Sequence, residues 1–310
     1  MVSINIKEYK DLYANEINSL LQKDVNYIPK ISSTKHSLLL FENQTIIGIG
    51  SIWDNSIHPY RDYISIYIDP DKRNNGFGRL LFNEMKDMHR LERFQTAFDS
   101  NNIDAINFAD SCGFHLGRKC YCYSVNEGLL IPFDYNISNP IVGLCNLSEK
   151  QIEDVVVLQY EDYKINHQHI NPLSEDISME EWKMVAFRDL VKMDSYVMLD
   201  GSNNVCAYLL SYEIDEETIE IGHTGSRCNN IKDYKAFLYN VVKQLFDSYK
   251  EIELEIDDCD MGANILGELF TYKPDISWDA YIGGIFYNVG INQVPKDICP
   301  IKIKSILGGI

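Results

Sequence analysis

The chain has 310 residues, 45% of them hydrophobic and 24% charged, which excludes disorder throughout and allows about two domains, each with its own core. Forty-six acidic residues against 28 basic ones leave a net charge of −18, so the surface repels phosphate backbones and broad nucleic-acid binding is excluded. A phosphate-bearing ligand has to be held by a local device, whereas a cationic or amine-bearing partner is drawn in at long range.

Residues 1–25 open with a short apolar alternation and continue as a helical pattern through Tyr13, Ile17, Leu20 and Leu21. Strands are predicted over 37–41 and 45–53, joined by a Glu42-Asn43-Gln44 turn, and over 62–69, where Pro70 stops the strand. A polar loop over 71–78 leads into a helix carrying Leu80, Leu81, Met85 and Met88. A strand over 94–98, a helix over 103–111 and a strand after Gly113 complete this half. Periodicity is lost over 127–140, which holds two prolines, so the expected domains are 1–130 and 141–310 with 131–140 as the linker.

The second half repeats the order of elements. Helices are predicted over 149–163 and 179–191, strands over 195–199, 205–212 and 218–223, and a long helix over 233–249. A strand over 251–256, a helix over 261–269 and β-like residues over 278–286 follow. Glu251, Glu253 and Glu255 alternate with apolar residues and read as a half-solvated strand face. His167-Gln168-His169 lacks further ligands at convincing spacing and reads as loop histidines, so no metal site is expected. The eight cysteines form no CxxC pair, and the Cys120-Tyr121-Cys122 spacing is poor geometry for a bridge. Without a signal peptide or an apolar run near 18 residues, the chain reads as cytoplasmic with free thiols and no membrane partner. The fold class is mixed α/β (α+β), two domains of similar architecture.

The sharpest local signal runs from Ile68 through Asp69-Pro70-Asp71-Lys72-Arg73-Asn74-Asn75-Gly76-Phe77-Gly78-Arg79. A strand ends, and a helix starts inside a glycine-spaced loop. The first amides of such a helix have no intrahelical acceptor, and glycines let a ligand approach the backbone. Together with Lys72, Arg73 and Arg79 this describes a nest for a diphosphate, against the plainer reading of a helix-entry turn. The spacing is neither that of a P-loop nor that of a dinucleotide fold.

The segment resembles the acyl-CoA pyrophosphate signature of the GNAT superfamily of N-acetyltransferases, Arg/Gln-x-x-Gly-x-Gly/Ala, here Arg73-Asn74-Asn75-Gly76-Phe77-Gly78. A second segment is similar to the family's N-x-x-A helix and closing Gly-Phe: Asn102-Ile103-Asp104-Ala105, then Ala109 to Gly113-Phe114. The resemblance implies acyl-CoA N-acyltransferase-like domains in tandem, each a mixed, splayed sheet flanked by helices. It implies acetyl-CoA as cosubstrate, its pantetheine arm bonded around Ile66, Tyr67 and Ile68 and its pyrophosphate on residues 72–79, with Asn102 and Phe108 beside it. It also implies direct attack of an amine on the thioester.

One position departs from the family. Where a tyrosine often donates a proton to the leaving thiolate, this chain has Ala109. Tyr123, Tyr121 and Ser111 are the substitutes within reach of the same segment, Tyr123 being preferred. For the base, Glu42, Tyr67 and Asp54 are candidates, with His58 and Asp62 near the acceptor and otherwise plain solvated loop residues. In the second half Gly222-His223-Thr224-Gly225-Ser226-Arg227 resembles the strand end before a phosphate loop, but the glycine spacing is then lost and Tyr234 would crowd the diphosphate. That half reads as a degenerate domain. The expected function is acetyl transfer to a primary amine of a small, cationic molecule, by a monomer or homodimer. The alternatives are a non-catalytic acyl-CoA-binding module and a protein N-acetyltransferase.

Overall fold

The computed structural model describes residues 3–23, 36–89 and 93–284. The first elements are β1 (Ile4–Glu8), α1 (Ala14–Leu21), β2 (His36–Glu42), β3 (Thr45–Trp53), β4 (Asp62–Ile68), α2 (Phe77–His89), β5 (Arg93–Asp99), α3 (Ile103–Ser111) and β6 (His115–Val125). They are followed by β7 (Ile141–Gly143), α4 (Glu149–His167), α5 (Met179–Ala186), β8 (Tyr196–Leu199), β9 (Val205–Glu213) and β10 (Thr218–Ser226). The last are α6 (Ile231–Phe246), β11 (Glu251–Asp257), α7 (Met261–Gly267) and β12 (Trp278–Gly284). Residues 285–286 of the last predicted strand lie outside the described residues.

The described chain divides into two compact units, one of residues 3–117 with 280–284 and the other of residues 118–279. In the first, the strand order is β1-β2-β3-β4-β5 and then β12. Asn43, at φ 58°, makes the tight turn that pairs Glu42 with Thr45, a left-handed position that asparagine tolerates. Strand alternation gives this sheet two faces. Leu38, Leu40, Ile64 and Ile68 pack with Leu81, Phe82 and Met85 of α2, and Leu39, Ile49 and Tyr67 pack with Ile17 and Leu20 of α1.

In the second unit the order is β6-β11-β10-β9-β8-β7, with residues 120–125 of β6 laddered antiparallel to β11. Capping boxes at Ser148/Gln151 and Ser178/Glu181 start α4 and α5. Helix α4 continues to His167, so that histidine is not in a loop: its ring stacks on Tyr163 at 3.9 Å and it is buried. Helix α5 stops at Ala186, short of 191, because the chain turns through Asp189 at φ 59° to bridge Leu190 to Tyr212. Strand β11 is half-solvated only at its start. Glu251 is exposed, but Glu255 is 6% exposed and Asp257 is fully buried, the strand lying between β6 and β10. The seven described cysteines are free thiols.

Candidate functional site

Strands β4 and β5 run parallel but share register only at Asp62↔Phe94 and Tyr63↔Gln95. Beyond Tyr63 no further β4–β5 pair forms among the described residues, so the strands splay toward their carboxyl ends. The Asp69 N–H donates to the Ile47 carbonyl of β3 at 2.8 Å. By strand alternation the odd-numbered residues of β4 bond toward β3, and Ile66 and Ile68 direct their peptide groups into the splay.

The chain leaves β4 through Asp69, whose Oδ1 accepts the Asp71 N–H at 3.1 Å, with Pro70 opening the turn. Lys23 reaches back from the end of α1 to Asp69 Oδ2 at 2.6 Å; this bond, with the Asp71 amide, outweighs burial and holds the Asp69 carboxyl below its ordinary range. Asn74 at φ 62° and Gly76 at φ 80° bend the loop into the start of α2. The first helical bond runs from the Leu80 N–H to the Gly76 carbonyl. None of the backbone N–H groups from Asn74 to Arg79 donates to a protein acceptor among the described residues. A Cβ on Gly76 would have open space around it, whereas one on Gly78 would stand 3.0 Å from the Phe108 ring of α3. Helices α2 and α3 thus meet beside the loop, and the amide run faces outward, the arrangement of an anion nest.

The predicted cofactor residues fall into distinct places. Ile66 and Ile68 line the splay, and residues 73–79 form the loop and helix start. Arg73 does not stand free: its Nε donates to the Ile68 carbonyl at 3.1 Å and its guanidinium lies 5.5 Å over the Tyr67 ring. Lys72 is ion-paired with Glu42 from the end of β2. Asn102 caps α3, its Oδ1 accepting the Ala105 N–H at 3.1 Å.

Each predicted acid–base residue has its own partners within its own unit. Tyr67 is 2% exposed on the α1 face, and its hydroxyl donates to the Leu20 carbonyl at 3.2 Å. Tyr123 and Tyr121 belong to the second unit, paired with Leu254 and Ile256 of β11. There Tyr123 packs edge-on against Tyr272, and burial pushes its phenol up to about 12. Ala109 of α3 is buried in the core, and Ser111 donates to the Phe108 carbonyl. His58 is buried rather than solvated, its N–H closing a turn onto the Asn55 carbonyl.

The corresponding place in the second unit is filled. Strands β10 and β11 pair in parallel from Thr218↔Glu251 to Ile221↔Leu254. Past that point Tyr234 of α6, 3% exposed, bonds Thr224 Oγ1 at 2.7 Å. Helix α7 comes in so close that a Cβ on Gly262 would stand 2.5 Å from the Thr224 carbonyl. The Asp162 carboxylate of α4 lies against Gly225. The start of α6 is capped by Asn230, which bonds the Lys232 N–H, and carries Asp233, which accepts from the Tyr135 hydroxyl at 2.8 Å. Side chains had signalled this only through Tyr234 and the missing glycines; the cap and Asp162 carried no signal of their own in the sequence.

A mixed sheet with one parallel pair splayed above an uncapped helix start is the fold of acyl-CoA-dependent acyltransferases. Residues 6–114 match the Acetyltransferase (GNAT) family. Among solved structures, a GCN5-related N-acetyltransferase from Sphaerobacter thermophilus superposes with a TM-score of 0.59 at 13% identity, over 91% of this chain and 97% of that one. A tandem GNAT protein from the clavulanic acid biosynthesis pathway gives 0.50 at 11% identity, over 91% and 98%. The glucosamine N-acetyltransferase region of a fungal multi-domain β-N-acetylglucosaminidase gives 0.60 at 9% identity, over 91% of this chain and 38% of that one. At such identities these likenesses show the fold: two GNAT-like domains in tandem. No curated protein matches the sequence. No described helix is long and apolar enough to cross a membrane.

Proposed function

We propose that the protein transfers an acetyl group from acetyl-CoA to the primary amine of a small, cationic molecule, using one acyl-CoA site per chain, in the first unit. The observation that carries this reading is the run of unsatisfied amides from Asn74 to Arg79 at the mouth of the β4–β5 splay. These amides and the α2 dipole suit a diphosphate, and the Ile66 and Ile68 peptide groups suit the amide-bearing arm that follows it. A peptide N–H of β4 facing the thioester oxygen would stabilise the charge that develops there as the amine attacks.

Proton transfer rests on solvent and on the amine itself. The side chains of β4 that face away from α2 are Tyr63, Ser65 and Tyr67, and none of them is a carboxylate or an imidazole. Glu42 is engaged by Lys72, so its role is to hold the loop's lysine. With Ala109 in the place of a phenol, coenzyme A thiolate departs without a donor from α3, which slows transfer and does not prevent it. The net charge of −18 favours a cationic acceptor.

Calorimetric titration with acetyl-CoA tests the reading, alongside a Gly76→Trp, Gly78→Trp variant. One micromolar site per chain, lost in the variant, supports it, and release of free thiol on adding primary amines then separates an enzyme from a binding module. Two sites per chain, or none, would refute it.

A further inference from the structure

The face of the first sheet turned away from α2 is built in rows by the strand registers. The row nearest the amide loop, Ile49↔Tyr67, lies under α1. The next is all serine, Ser37↔Ser51↔Ser65, with the Ser37 and Ser51 hydroxyl oxygens 3.0 Å apart. The third is Trp53↔Tyr63↔Gln95, and its last pair is where β4 and β5 part. Trp53 and Tyr63 stack, with ring centroids 5.9 Å apart and planes 17° from parallel. Their chain neighbours Ile52, Ile64 and Phe94 pack with α2, so strand alternation turns this row to the other face.

Two polar atoms of the third row are buried and bond nothing among the described residues: the Trp53 Nε1–H, a donor, and Gln95 Oε1, an acceptor. Gln95 is 2% exposed. Such groups are rare, because each forfeits the hydrogen bonds that water would give it. Gln95 also stands at the vertex of the splay. The amide run lies at the open, carboxyl end, and an arm held by the Ile66 and Ile68 peptide groups runs from there toward Tyr63 and Gln95. The reacting end of an acyl-CoA therefore comes to this row. Beside it the serines keep the floor low, since each is far shorter than the neighbouring rings. No residue of the three rows carries a carboxylate or an imidazole. A site of this kind gives an ammonium no counter-charge, so desolvation there favours the neutral, nucleophilic amine.

We propose that Gln95 and Trp53 bind the acyl acceptor, and that this acceptor is a primary amine carrying a hydroxyl group. Gln95 Oε1 accepts an N–H of the amine and turns its lone pair to the thioester carbon. The Trp53 indole donates to the hydroxyl oxygen. Across the row the two residues stand two strand spacings apart, about 9–10 Å, which a small amino alcohol bridges with a hydrogen bond at each end. Attack forms the C–N bond and breaks the C–S bond, coenzyme A leaves as thiolate, and the proton lost from nitrogen goes to solvent. The inference rests on the proposed function for the reaction, and amine binding tests it separately.

Two amines of equal size, 2-aminoethanol and propylamine, are compared on the full-length chain. Binding is read by saturation-transfer NMR with coenzyme A present, and turnover by thiol release from acetyl-CoA. On the parent, 2-aminoethanol should bind at least about ten times more tightly than propylamine, because the hydrocarbon leaves the indole N–H unpaired. Trp53→Phe keeps a ring against Tyr63 and should bring the two amines within about twofold of each other. Gln95→Leu should weaken both amines at least about tenfold, raising KM for the amine more than it lowers kcat, with acetyl-CoA affinity unchanged. A merely structural Gln95 would shift the melting temperature and leave amine binding as it was. Equal binding of the two amines to the parent, or unaltered amine binding in Gln95→Leu, overturns the proposal. The expected binding pattern without thiol release upholds the site and refutes acetyl transfer, whereas thiol release that neither substitution alters upholds acetyl transfer and refutes the site.

Discussion

The Tyr234 hydroxyl lies 2.7 Å from Thr224 Oγ1, which itself donates to the Tyr208 carbonyl at 2.8 Å. That chain of bonds stands where the first unit leaves its strands splayed, and it turns a ligand cleft into core. Removing the phenol's bond with Tyr234→Phe should cost about 1 kcal/mol, since Thr224 keeps its backbone partner. Gly262→Ala should cost more, about 1–3 kcal/mol, because the new methyl meets the Thr224 backbone rather than a side chain that can move. Urea unfolding of the two variants measures both. Neither should change the stoichiometry of acetyl-CoA binding, and a second site opened by Tyr234→Ala would show that the plug alone excludes the ligand.

In the first unit the close contact at the amide loop is between Gly78 and Phe108. A valine at 78 would push the Phe108 ring at 3.0 Å and load branched atoms onto the amide run. We expect Gly78→Val to weaken acetyl-CoA binding at least tenfold, with the melting temperature within a few degrees of the parent. Phe108→Ala in the same background should recover part of the affinity if the ring is the obstacle. Calorimetry on the pair decides it: no recovery would locate the damage in the backbone itself.

Glu42 and Lys72 offer a direct distinction between two roles for a carboxylate. As a general base, Glu42 would contribute about 10²–10⁴ to turnover, and Glu42→Gln would lose it. As the partner of Lys72, its removal frees a positive charge at the diphosphate. The expected outcome is acetyl-CoA binding tightened by about threefold in low salt, an effect that fades as salt is raised, with kcat unchanged. A fall in kcat of a hundredfold would return Glu42 to the chemistry.

Much of this site was legible because its signals are local. A strand stopped by Pro70 and glycines at 76 and 78 are each decided within a few residues of themselves. Side-chain direction and strand partnership are not. Tyr67 shares β4 with Ile66 and Ile68, and only the register with β3 turns it under α1 and onto the Leu20 carbonyl. Tyr123 follows the Gly-Phe segment closely in sequence, yet nothing in its own alternation says that β6 will ladder with β11. Glu255 reads as solvated by alternation, and it is buried because neighbouring strands enclose it.

Asp162 gives the clearest dependence on pH. Its Oδ2 is buried without a hydrogen-bond partner, and burial, followed by the neighbouring Asp260 carboxylate, pushes the group up to about 7. In the unfolded chain it titrates at about 3.9. Between those values the folded state binds the extra proton, so the stability this group contributes is present below about pH 4 and is lost as the pH rises through 7. Asp162→Asn keeps the shape and removes the titration. The difference in unfolding free energy between variant and parent should therefore move toward the variant by on the order of 2–4 kcal/mol from pH 5 to pH 8. Other titrating groups cancel in that difference. Urea midpoints at the two pH values measure it, and parallel behaviour of the two proteins would mean that Asp162 is ionised throughout, held by the Tyr208 hydroxyl and by Arg227, which both act in that direction.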